Sequence, residues 1–355
     1  MHPETHAEPI RHAAAWQPGD LSAAASRWQY TLTRADVAEL TAALRQVQAK
    51  HQFVPQFGKE DFPIPHLMAK LSPYQQELAH GLGVLYVKGL PVESFSKDEA
   101  SVIFWGLGLH FGKPWEQNKR GHLLGDVINE GKSIGDTSAR GYQTTATLDM
   151  HTDGADVVGL LCLKQAPQGG ESQIVSAPAV HNHLALTQPE VLAHLLTTEW
   201  CIDWRDEEPP NDKPYHRAKI FETSPTGLIT CFSLVPYIFS AQRHREKCPE
   251  IPQLTAFDEH VLKSFSAATE DKDLVFNYRL EAGDMTFLNN HFHLHGRSHF
   301  QDAEDPKQRR HLRRLWLEFD SWDDIRPAAM QNILINARQH WASKEPTVQM
   351  WDIQQ

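Results

Sequence analysis

At 355 residues the chain can form one large core or two small ones. An apolar share of 41%, with ten tryptophans, is enough to fill that core. The formal charge of −11, from 34 basic and 45 acidic residues, argues against general affinity for nucleic acid or an anionic membrane. No run approaches the roughly 18 apolar residues of a membrane helix. Met1 to Asp20 lacks the apolar segment of a secretory signal. Cys162, Cys201, Cys231 and Cys248 form no CxxC pair, so reduced thiols in a cytoplasmic protein are expected.

In chain order, residues 1–27 read as a loose leader and 28–355 as one domain. Thr33 opens a helix with Val37, Leu40, Leu44 and Val47 on one face. Residues 83–89, bounded by glycines, read as a buried strand. Ser96 and Glu99 form a capping box for a helix through Ile103 and Trp105 that stops near Gly112. Residues 114–147, rich in Gly, Asn and Gln and without periodicity, are expected to form a lid. Short strands follow at 157–163, 172–175, 228–235, 274–280, 285–288 and 312–319. A helical insertion at about 180–270 interrupts them, with Leu254, Phe257, Val261, Leu262 and Phe265 on a common face. Many short strands with Gly-rich turns favour a mainly β sandwich or jelly roll with flanking helices over a parallel α/β sheet. A helix at about 323–341 would close the chain, packing on the sandwich or on a second subunit in a homo-oligomer.

Two clusters carry chemistry. In a strand, His151 and Asp153 point to one face and can reach one ion together, although a partly buried His satisfied by a neighbouring carboxylate fits the same triplet. His291, His293 and His295 also alternate, so periodicity alone does not say which faces a metal. In a strand through 309–316, Arg310, Leu312 and Arg314 share one face and Arg309, His311 and Arg313 the other. A guanidinium on the core face needs an anionic partner, and its planar fork suits an organic carboxylate. A solvent-facing patch pairing with Glu304 and Asp305 is the plainer alternative. Two imidazoles and one carboxylate with open positions are the donor set of non-haem Fe(II) oxygenases.

These motifs, in this order, resemble the family of taurine dioxygenase and 2,4-dichlorophenoxyacetate dioxygenase from about Trp28 to Leu317. The resemblance rests on His151-Thr-Asp153, Gly169-Gly-Glu-Ser172, Gly283-Asp284, Asn290 with His295-Gly-Arg297, and the Arg310/Arg314 pair. It implies a jelly-roll enzyme that uses Fe(II), 2-oxoglutarate and O2, with His151, Asp153 and His295 as ligands. Ser172 and Arg310 would bind the distal carboxylate of 2-oxoglutarate. Arg314, with Gln117 and Asn118 from the lid, would bind the substrate.

Gln117 stands where the taurine enzymes place a histidine, and Arg140, Tyr142 and Thr147 lie nearby, which disfavours taurine itself. A true carboxylate at Asp153 disfavours halogenation. The implied reaction is oxidation, most simply hydroxylation, of a small acidic or amino-acid-like molecule, with release of succinate and CO2; desaturation or ring closure would use the same centre. Two readings of other classes stand beside it: a zinc hydrolase built on His291, His293 and His295, and a non-catalytic jelly-roll binding protein.

Overall fold

The computed structural model describes residues 9–132, 141–205, 213–319, 322, 325–327 and 347–348. Arg140 and residues 323–324 and 328–341 of the expected helix lie outside them, and residues 325–327 form a turn rather than a helix. Ten principal strands carry the architecture. The first five are β1 (Gln29–Thr31), β2 (Val84–Lys88), β3 (His122–Ile128), β4 (Leu148–His151) and β5 (Val157–Lys164). The second five are β6 (Ser172–Ser176), β7 (Val275–Tyr278), β8 (Met285–Asn289), β9 (His293–Arg297) and β10 (His311–Glu318). A major sheet runs β1-β2-β8-β5-β10-β3 and a minor sheet β7-β6-β9-β4. Pairing is antiparallel throughout the minor sheet, and in the major sheet from β2 to β3.

Strand alternation divides the core. Val84, Tyr86, Val158, Cys162, Leu312 and Trp316 face inward with Ile174, the register partner of His295. Their neighbours Leu85, Val87, Val157, Leu161, Leu315 and Leu317 face outward into a second core. Three helices cover that outer face: α1 (Arg34–Ala49), α2 (Pro65–His80) and α3 (Lys97–Leu109). Helix α1 starts where Thr33 and Asp36 cap each other, and it buries Leu40, Leu44 and Val47. Helix α3 has the expected Ser96/Glu99 box and is buried along 100–108. A Cβ on Gly108 would lie 2.2 Å from a Leu315 methyl, so glycine lets this helix lie flat against β10. Three more helices, α4 (Ala177–Thr187), α5 (Pro189–Thr197) and α6 (Ala256–Thr269), extend the inner core.

The structure corrects four expectations. The described part of the leader is docked: Ala14, Trp16 and Leu21 are buried, and Trp16 stacks on His293 and donates Nε1 to Leu82 O and His293 Nε2, each at 3.1 Å. Isolated apolar residues anchor this segment, and their spacing carries no period. The expected lid contains β3, whose pattern Gly125 and Asp126 interrupt; both are tolerated because Asp126 is ion-paired within the fold. The insertion is not wholly helical, since Trp200–Asp203 pairs with Tyr215–Ala218 and Phe221–Thr223 with Ile229–Cys231. The strand expected at 228–235 stops at Cys231, and a helix follows at Val235–Ala241. Among the described residues no helix is long and apolar enough to cross a membrane.

Docking of the leader is testable by Trp16→Ala. Loss of a buried aromatic side chain should cost about 3–5 kcal/mol in urea unfolding. A loss under about 1 kcal/mol would mean that the segment does not hold the fold.

Candidate active site

The end of β4 sets His151 opposite His295 of β9, where the two are register partners. Their rings are 4.3 Å apart between centroids. Asp153 comes from the crossing that carries the chain out of the minor sheet into β5, and that crossing is pinned. Thr152 N donates to Ser233 O (3.0 Å), and Ser233 N donates to Thr152 Oγ1 (2.9 Å). Asn290 accepts from Asp153 N at 3.4 Å and donates to Ala155 O at 3.0 Å. Asn290 in the sequence motif therefore shapes the loop that presents the carboxylate.

Asp153 Oδ1 lies 3.8 Å from His151 Nε2, and its Oδ2 lies 3.7 Å from His295 Nε2. One ligand atom from each residue falls within 4.8 Å of the others. His151 Nδ1 donates to Asp149 O at 2.9 Å, which turns Nε2 toward the cluster. Trp316 Nε1 donates to Asp153 Oδ2 at 2.9 Å, and Arg314 Nη1 stands 3.6 Å from the same oxygen. Burial opposes ionisation of Asp153, but Arg314, the two imidazoles and the indole bond outweigh it and hold the carboxyl below its ordinary range. Burial, with His151 beside it, pushes His295 down to about 3, so its imidazole is neutral. A hard carboxylate and two imidazoles on one side of a point fit a divalent first-row metal with open positions.

The three residues border a cavity of about 300 Å³ that Ser172, Arg310, Leu312, Arg314 and Trp316 also line. The inward face of β10 is thus the expected one, while Arg313 and His311 turn outward onto Asp126, at 2.6 and 2.5 Å. Arg310 is buried and pushed down to about 10 by desolvation. Its Nε donates to Gln165 at 3.1 Å, while Nη1 and Nη2 have no hydrogen bond among the described residues. A Cβ on Gly170, whose φ is +76°, would stand 3.1 Å from Arg310 Nε; the double glycine gives the guanidinium its room.

Other residues fall elsewhere. His291 Nε2 is bonded to Asp156 at 2.9 Å, in a buried cluster with Arg326. His293 is held between Trp16 and Asn289 O. The three-imidazole zinc set therefore does not assemble. Gln117 is buried behind Arg314: its Oε1 accepts from Arg314 Nε at 2.8 Å, and its Nε2 donates to Arg314 O and Leu123 O. It does not line the cavity. Asn118 belongs to a local turn, accepting from Arg120 N and meeting His122. Among the described residues the ion-pair partner of Arg314 is Asp153, and its guanidinium lies over Tyr142 and Trp316 at 5.1 and 4.9 Å.

Arg297 was not singled out by sequence reasoning beyond its place in the His-Gly-Arg motif. It is buried, donates to Thr144 O and Ala146 O, and lies 4.5 Å over the Phe300 ring, tying the 144–146 segment to β9. An arginine on the same strand face as His295 was the signal available for it.

The family model described as "Taurine catabolism dioxygenase TauD, TfdA family" matches residues 42–316. "FR-33289 synthase" of Streptomyces rubellomurinus is 30% identical over 320 residues, covering 88% of this chain and 91% of that protein. "Taurine hydroxylase-like protein SAT17" of Stachybotrys chartarum is 29% identical over 297 residues, 80% of this chain and 73% of that one. An asparagine oxygenase solved with Fe(II), 2S,3S-3-hydroxyasparagine and succinate shares the fold at TM-score 0.63 and 17% identity, over 85% of this chain and 98% of that one. The non-haem iron oxygenase OrfP, solved with Fe and alpha-ketoglutaric acid, superimposes at TM-score 0.57 and 15% identity over 81% and 93%. The chain belongs to the taurine dioxygenase and TfdA family. It is a 2-oxoglutarate-dependent oxygenase, an enzyme class whose reaction takes Fe(II), 2-oxoglutarate and O2.

The fates of the histidines give a direct test. His151→Ala and His295→Ala should lose stoichiometric Fe(II) binding in anaerobic titration. His291→Ala and His293→Ala should keep it and instead lose about 1–3 kcal/mol of stability, because each strands a buried partner. Loss of iron from a folded His293 variant would reverse the assignment.

Proposed function

We propose that the enzyme hydroxylates a small organic substrate bearing an acid group, in a cavity between the two halves of a double-stranded β-helix. The single observation that carries this reading is the set of guanidinium groups on the inward face of β10. Arg310 and Arg314 both border the cavity beside the His151/Asp153/His295 cluster. His151, Asp153 and His295 would hold Fe(II), which when bound supplies the oxygen chemistry that couples decarboxylation of 2-oxoglutarate to oxidation of a substrate C–H bond.

The protein's own residues do the positioning. Arg310, with two free Nη groups in a buried setting, would take the distal carboxylate of 2-oxoglutarate as a fork takes a planar anion. Ser172, buried on the same wall, would add a hydroxyl donor. Arg314 would take the acid group of the substrate. Its Nε is committed to Gln117, its charge is drawn toward Asp153, and Tyr142 and Trp316 flank its plane, so the remaining donors face the cavity in one orientation. Gln117 in this reading orients Arg314 and does not itself meet the substrate, and Asn118 is likewise removed from substrate contact. The apolar wall of Leu160, Leu312 and Leu234 would shed water from the substrate's carbon skeleton. The relatives solved with hydroxyasparagine and, in another OrfP structure, (3S)-hydroxy-L-Arg support an amino-acid-like substrate class.

Arg310→Ala should raise the Michaelis constant for 2-oxoglutarate by about one to two decades, since a hydrogen bond to a charged group contributes about 1.5–3 kcal/mol. Ser172→Ala should raise it less. An unchanged constant in the Arg310 variant would remove the assignment. With a substrate in hand, Arg314→Leu should weaken substrate binding and leave substrate-free decarboxylation of 2-oxoglutarate intact. Gln117→Leu should show the same pattern at smaller amplitude. Substrate binding that resists both changes would leave the acidic-substrate reading without support.

A further inference from the structure

A second cavity, of about 220 Å³, lies on the other side of Arg310. It opens where β3 and β5 end, β10 begins and α3 starts. Lys97, Lys164, Lys307, Arg309, Arg310 and His311 line it, and no aspartate or glutamate does. That is unexpected in a chain with 45 acidic and 34 basic residues.

Four acids of the surrounding segments are engaged elsewhere. Asp126 holds His311 and Arg313. Asp302 accepts from Arg310 N and from Asn129. Asp305 caps Lys307 N, and Glu99 closes the capping box of α3 on Ser96 N. The helix end is therefore already satisfied, and the positive field of the cleft comes from side chains. Lys97, Lys307 and Arg309 make no ion pair among the described residues. Among the described residues Lys164 is bonded to the neutral Gln308 and makes no ion pair. His311 is buried and engages Asp126 through Nε2, so its Nδ1 is left without a bond among the described residues. Burial holds the Lys97 ammonium below its ordinary range, against the pull of Asp126.

We propose that this cleft binds a tetrahedral dianion, the phosphate of a small metabolite or free inorganic phosphate, and that its occupancy weakens binding of 2-oxoglutarate. Several ammonium groups around a small cavity suit a tetrahedral oxyanion: each is a point charge with rotatable donors and needs no planar partner. The coupling runs through Arg310, which borders both cavities. A dianion on one side of that guanidinium offsets the positive potential that draws the co-substrate carboxylate to the other. This coupling rests on Arg310 being the co-substrate anchor, whereas the binding site itself does not.

The test uses the iron-loaded enzyme, with sulfate as the tetrahedral probe and sodium chloride at matched ionic strength as control. Sulfate should raise the Michaelis constant for 2-oxoglutarate about threefold beyond chloride. The double variant Lys97→Ala/Arg309→Ala should abolish the difference while keeping its activity in chloride. Equilibrium dialysis of labelled sulfate, without 2-oxoglutarate, should show one site in the wild type and none in the variant. Inorganic phosphate and glycerol phosphate, competed against the labelled sulfate, then identify the source by which displaces it at lower concentration. Absence of a dialysis site, or a site that survives in the double variant, overturns the cleft assignment. Sulfate bound and lost as expected, with the Michaelis constant unmoved, keeps the site and overturns the coupling, while the placement of Arg310 stands or falls with the Arg310→Ala variant.

Discussion

A buried carboxylate beside two imidazoles is the constraint on which the rest of the structure depends. Asp153 is only 7% exposed, and an isolated charge at that depth would be neutralised or expelled. It stays ionised because Arg314, His151, His295 and the Trp316 indole surround it. The arrangement is still incomplete by its own chemistry, since the two imidazole Nε2 atoms and the carboxylate oxygens converge without hydrogen-bonding one another. A divalent cation would satisfy all three at once. The Thr152–Ser233 bonds and the Asn290 clamp then read as supports that keep the carboxylate in place before any metal arrives.

Strand β10 carries most of the remaining design. Its inward side chains run Leu312, Arg314, Trp316, continuing the line from Arg310, and they supply in turn an apolar wall, a guanidinium on the cavity and a hydrogen bond to Asp153. Its outward side chains fix the strand from behind. Arg313 bonds Asp126 and Ser101 of α3, and Leu315 and Leu317 enter the outer core. Alternation along one strand therefore separates chemistry from anchoring. It also makes register unforgiving, because a one-residue slip would exchange the two faces.

The sequence made some of this legible and hid the rest. The capping residues Thr33 and Ser96, the strands at 157–164 and 311–318 and the inward set Arg310/Arg314 are local signals, written in adjacent or alternating residues. The His-Thr-Asp cluster was legible because its partner His295 sits next to Gly296 and Arg297, a short motif. What stayed hidden depends on distant partners. Gln117 reads as a lid donor until Arg314, 197 residues away, takes its oxygen. Strand β3 looked irregular because Asp126 appears out of place until His311 and Arg313 pair with it. The leader looked loose because Trp16 and His293, 277 residues apart, find each other only in the fold.

The most direct measurement is an anaerobic Fe(II) titration of the Asp153→Asn variant against the wild type, with near-UV circular dichroism to verify the fold. The amide keeps the shape of the side chain and removes its charge. The account predicts a folded variant, since Asn can still accept from Trp316 and Arg314 keeps its bond to Gln117, that no longer binds one Fe(II) per chain. A folded variant that binds iron with wild-type stoichiometry and affinity would contradict it.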